Sequence, residues 1–110
     1  MKTSNGKDTR TLGAGYLTIA RFSGDGDQLL AEYGKHAPVM SGVGRDHGLI
    51  LHAAATTTEG LLILNLWPSK HESEAAASDP RRLGVIERAG ISPEQISREH
   101  HEVTQIELFD

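Results

Sequence analysis

The sequence predicts an α+β domain in the order β-α-β-β-α-β, a four-stranded antiparallel sheet with two helices on one face. Three observations carry the prediction. The runs Tyr16–Phe22 and Leu61–Trp67 have strand composition and are bounded by turn residues. Around them lie stretches with apolar residues at helical spacing, opened by serine or aspartate and closed by glycine. At 110 residues the chain has room for one such domain and no more.

Residues 1–11 are polar and aperiodic and read as a disordered tail, which leaves 12–110 as the domain. Gly15–Phe22 alternates and forms the first strand. Ser23–Asp27 is a turn in which Asp25 or Asp27 caps a helix. Leu30, Tyr33, Ala37 and Met40 mark that helix, expected to fail at Gly42 and Gly44. Residues 48–56 and 60–67 form a hairpin about Thr57–Glu59, and Pro68 ends its second strand. A second helical region starts at Ser69, restarts at Asp79-Pro80 and closes at Gly90. Ser92-Pro93-Glu94-Gln95 is a capping box, and residues 98–109 read as the last strand.

The third strand is apolar on both sides: Leu62, Leu64 and Leu66 face one way, Leu61, Ile63 and Trp67 the other. The second strand is similar, with Leu49, Leu51 and Ala53 against Ile50 and Ala54. A sheet with one wet face alternates apolar with polar, and two helices cover only one face. A homodimer is therefore expected, one copy covering the open face of the other. Leu, Ile, Val and Phe make up less than a quarter of the chain, a thin core for a solitary domain.

Charge and composition narrow the function classes. The formal net charge is −4, and all of it falls in residues 94–110, where Glu94, Glu99, Glu102, Glu107 and Asp110 face only Arg98. No basic stripe suits a nucleic acid, no apolar run is long enough to span a membrane, and the N-terminal residues lack the apolar core of a secretory signal. With no cysteine there is no disulfide and no thiol nucleophile. A cytoplasmic protein is the expectation.

The hairpin places candidate chemistry. A two- or four-residue loop centred on Thr58-Glu59 sets His52 opposite Asn65 and Ile50 opposite Trp67. His52, Asn65 and Trp67 then share a face with Ile63 and Ala54. His52 can exchange a proton near neutral pH, Asn65 can orient it or donate to an oxyanion, and Trp67 offers a planar wall to an aromatic or polyene ligand. Tyr33 and His36 on the first helix are expected to line the same pocket, with His101 or His100 at its mouth. The bland alternative is a His52–Asn65 hydrogen bond with no chemistry attached. No metal site is expected: His100 and His101 point to opposite faces, and His71 with Glu74 lacks a second pair. His47 is expected to be exposed.

The segments Tyr-Leu-Thr-Ile-Ala-Arg-Phe (16–22), Gly-Asp-Gly-Asp-Gln-Leu-Leu (24–30), Leu-Asn-Leu-Trp-Pro-Ser (64–69) and Ser-Asp-Pro-Arg-Arg (78–82) resemble the dimeric α+β barrel superfamily over roughly residues 14–109. Its branches include antibiotic-biosynthesis monooxygenases, stress-responsive barrels, small polyketide cyclases and haem-degrading enzymes. The resemblance implies two sheets closing face to face into a barrel, with a pocket between each sheet and its helices. It implies a cofactor-independent enzyme acting on a hydrophobic, polyketide-like metabolite, by oxygenation or by proton-transfer cyclisation or isomerisation. A non-catalytic ligand-binding or stress-response barrel is the alternative, and a haem-binding barrel with His36 as axial ligand is the third. The quinone-forming monooxygenases of the superfamily pair the tryptophan with an asparagine four residues earlier and an aromatic in the next helix. Here Asn65 lies two residues earlier, Ile63 stands four back, and Ser73 occupies the aromatic's place.

Overall fold

The computed structural model describes residues 9–109. Its elements are β1 (Thr9–Leu12), β2 (Gly15–Ser23), α1 (Gly26–Asp46), β3 (Leu51–Thr56), β4 (Gly60–Trp67), α2 (Lys70–Ala77), α3 (Pro80–Ala89), one 3-10 turn (Pro93–Gln95), β5 (Ile96–Val103) and β6 (Ile106–Phe109). The main sheet runs β3-β4-β2-β5 and is antiparallel throughout. This is the expected ferredoxin-like α+β fold, with the two long apolar strands, β2 and β4, at its centre.

The caps fall where the sequence places them. Asp25 Oδ1 accepts from Gln28 N at 3.0 Å at the start of α1. Asp79 Oδ1 accepts from Arg81 N at 2.9 Å at the start of α3, and Gly90 ends α3 in the left-handed region at φ 66°. The β3–β4 hairpin closes through Thr57 N donating to Gly60 O at 2.8 Å, so Thr58-Glu59 is a two-residue loop. Gly60 is obligatory there, since a Cβ would sit 1.9 Å from Phe22 O.

Several boundaries differ from expectation. The helix α1 does not stop at Gly42 and Gly44 but runs on to Asp46. Gly44 is a contact glycine instead of a terminator: Leu49 lies where its Cβ would be, 2.8 Å from Leu49 Cδ2. The second strand begins at Leu51, although Ile50 N still donates to Leu66 O at 2.8 Å. The last strand breaks at Thr104-Gln105 into β5 and β6. The expected tail also fails for residues 9–11, because β1 pairs with β6; residues 1–8 lie outside the described residues. Gly15 opposite Val103 and Leu12 opposite Ile106 belong to one register, so the β1–β6 ribbon continues the β2–β5 pairing beyond a break.

The helices cover one face of the sheet. Tyr16 and Trp67, neighbours in the register, are buried with Val43 of α1 and Ala76 of α2. On the other face stand Leu17, Ile19, Leu62, Leu64 and Leu66, all only partly buried, beside exposed Leu51. Charge is confined to its β5 side, where Arg21 is paired with Glu99. No described helix is long and apolar enough to cross a membrane.

Candidate functional site

Alternation brings one residue from each strand into a polar row beneath the helices. His52 of β3 is paired with Asn65 of β4, Asn65 with Thr18 of β2, and Thr18 with His100 of β5. The next row is Ala54, Ile63, Ala20 and Arg98. Above them the helices leave a cavity of about 390 Å³, a volume suited to a small organic ligand. Trp67 and Phe22 close its apolar walls from the sheet, and Val43, Val85 and Ile86 from the helices.

Three side chains form a connected chain at the β3 side of this cavity. Tyr33 Oη lies 2.5 Å from His52 Nε2, and His52 Nδ1 lies 2.6 Å from Asn65 Oδ1. The Tyr33 ring is stacked on the imidazole, with ring centres 5.7 Å apart and planes inclined by 21°. Proton positions follow from the acceptors. Asn65 Oδ1 carries no hydrogen, so Nδ1–H must donate to it. Neutral His52 then has a bare Nε2, which accepts the Tyr33 O–H. Burial pushes the Tyr33 phenol up from its usual value near 10, keeping it protonated and a donor at neutral pH.

The helix geometry explains how α1 delivers the phenol. Tyr33, His36, Met40 and Val43 recur at three- and four-residue spacing and all line the cavity. His36 is held on that face by Glu32, whose Oε2 is 3.2 Å from His36 Nε2. Ser73, in the place where the resemblance expects an aromatic, is buried against the cavity. The aromatic side chain that contacts His52 comes from α1, as Tyr33.

Most of the residues singled out from the sequence converge here: His52, Asn65, Trp67, Tyr33, His36 and Ile63 all line the one cavity. His101 does not. It pairs with Leu17 on the opposite face and bonds Glu99 at 3.3 Å, because alternation along β5 turns His100 inward and His101 outward. His47 is not a free surface residue either; its Nε2 lies 3.0 Å from Asp79 Oδ2. Sequence reading missed Arg82 and Arg98, which also line the cavity. For Arg98 the signal was available, two residues before His100 on the same strand; for Arg82 it needed the tertiary placement of α3. Among the described residues no set of three histidine or acidic side chains gathers as metal ligands.

No family model matches the chain, and no curated protein sequence matches it. Solved structures do. A dimeric ferredoxin-like protein of unknown function from Jannaschia sp. CCS1 superposes with a TM-score of 0.66 at 13% identity, over 83% of this chain and 100% of that one. The fold is that of the dimeric ferredoxin-like proteins. SnoaB, a cofactor-independent oxygenase from Streptomyces nogalater, matches at 0.55 and 13% identity, over 83% of this chain and 90% of that one. A candidate antibiotic biosynthesis monooxygenase from Nitrosomonas europaea matches at 0.60 and 12% identity, over 84% and 91%. These are the neighbours that the sequence motifs suggest.

Proposed function

We propose that this chain is a cofactor-independent enzyme that removes a carbon-bound proton from a hydrophobic, polyketide-like substrate in the cavity between sheet and helices. The observation that carries the reading is the Tyr33–His52–Asn65 chain on the wall of an apolar cavity. Proton removal is the step common to oxygenation, cyclisation and isomerisation, and the likeness to a cofactor-independent oxygenase supports it.

The residues act in a fixed order. The substrate's acidic C–H gives its proton to Tyr33 Oη while the phenolic proton passes to His52 Nε2. The imidazolium formed keeps its Nδ1–H on Asn65 Oδ1, which holds the ring in place and stabilises the charge. Electron density left on carbon spreads into an adjacent carbonyl as an enolate. That carbanion is reprotonated elsewhere in an isomerisation, attacks a carbonyl of its own chain in a cyclisation, or takes up O2. In the last case one oxygen becomes a product carbonyl and the other leaves as water. Trp67 and Ile63 supply the flat apolar surface against which such a ring system lies.

We also propose that two chains close their open sheet faces together as a homodimer. The unpartnered leucines of β2 and β4 support this, as does the likeness to ferredoxin-like proteins that are dimeric.

Exchange in D2O tests the catalytic reading. Anthrone, with its acidic methylene, is incubated with the protein and followed by NMR for deuterium uptake and by electrode for O2 consumption. Accelerated exchange that is lost in His52→Gln is the expected result, and O2 uptake separates the oxygenase from the isomerase or cyclase. Binding of anthrone with no acceleration would make the chain a ligand-binding barrel.

A further inference from the structure

The cavity has a second polar region that the proton relay does not use. Arg98 stands on the inward face of β5, opposite Ala20 and one row from His100. From above, α3 brings Arg82 to the same cavity, with its Nη1 donating to Ala77 O at 3.0 Å. Among the described residues, neither guanidinium lies within ion-pair distance of a carboxylate, whereas Arg21 and Arg81 are both paired. The one carboxylate on the cavity wall, Glu32, is already held by Lys35 and His36 at 3.2 Å each.

We infer that the cavity takes an amphipathic acid, its apolar body over Ile63 and Ala20 and its carboxylate between Arg82 and Arg98. Arg82 is partly buried and Arg98 exposed on the lining of the same cavity, and a planar carboxylate can accept paired N–H donors from a guanidinium. Burial draws the Arg82 guanidinium below its usual value, and the charge of Arg98 lowers it further. The carboxylate end would fix which carbon of the substrate reaches Tyr33 on the other side of the cavity. The inference rests on the cavity being the substrate site proposed above.

Two fluorescent probes of one shape test it: anthracene-2-carboxylate and the neutral anthracene-2-methanol, each titrated into the intact protein. The carboxylate should bind at least tenfold more tightly, and the preference should weaken with added salt. Arg82→Met/Arg98→Met should abolish the preference while leaving the affinity for the alcohol within about twofold, which also reports an intact cavity. Arg82→Lys, keeping the charge, should retain part of it. Equal affinity of the two probes for the wild type, or a preference that survives the double substitution, overturns the anionic subsite and leaves the cavity reading standing. Binding of neither probe overturns both.

Discussion

At the scale of single residues, the relay depends on which atom holds each proton. Tyr33→Phe keeps the stacked ring and removes only the hydroxyl, so stability should change little while turnover falls by about 10²- to 10⁴-fold. His52→Gln should cost at least as much. Asn65→Leu frees Nδ1 and lets the ring adopt either tautomer, so its loss should be smaller. Because the three residues act as one unit, combining Tyr33→Phe with Asn65→Leu should cost far less than the product of the two single effects. Steady-state rates of the four variants check this. The His52–Asn65 half of the relay was legible in the sequence, since a two-residue loop dictates their pairing. The Tyr33 half was legible only as a pocket-lining position, because strand periodicity carries no information about how far a helix side chain reaches over the sheet. His101 was misplaced because which of two adjacent histidines faces inward depends on a register between strands far apart in sequence.

At the scale of elements, α1 and α3 are joined by an ionic network that no local pattern announces. Asp79 caps α3, accepts from Arg81 Nη2 at 2.8 Å and meets His47 at the end of α1, while Arg81 also reaches Asp46 at 3.0 Å. Arg81 and His47 together hold the Asp79 carboxyl well below the usual carboxylate range. A carboxylate depressed in the folded state contributes stability that is fully present above its unfolded value, near 4, and is lost as pH falls through its folded value. Thermal melts across acid pH should therefore show a steeper loss in the wild type than in Asp79→Asn, which should melt lower at neutral pH and titrate less. The hairpin makes a sterner demand. Gly60→Ala places a Cβ against the Phe22 carbonyl and should destabilise by more than about 2 kcal/mol in denaturant unfolding. Element identity and order followed from caps, glycines and Pro68. The ends of α1 and β5 did not, because Gly44 serves packing against Leu49 and the break at 104–105 serves the β1–β6 ribbon.

At the scale of the molecule, the chain is elongated. It measures 49 × 28 × 24 Å, and its radius of gyration of 15.4 Å exceeds the roughly 13 Å of a compact domain of about 100 residues. The sheet's open leucine face and the exposed Phe109 at the end of the ribbon are the surfaces expected of one half of a dimer. Leu64→Glu, on the central strand of that face, should halve the mass measured by light scattering while leaving the helical signal in circular dichroism intact. A monomeric wild type, or a dimer whose mass Leu64→Glu leaves unchanged, would overturn the proposed pairing of the open faces. In the proposed dimer both faces of the sheet would serve the cavity, one by lining it and the other by holding its floor flat against a partner. The tautomer of His52, on which the proton relay depends, is read on the imidazole itself by 15N–1H correlation spectroscopy of the labelled protein at neutral pH. His52 should be protonated at Nδ1 with a bare, hydrogen-bonded Nε2, and should shift toward mixed tautomers in Asn65→Leu. A wild-type His52 protonated at Nε2 would rule out the Tyr33–His52–Asn65 relay.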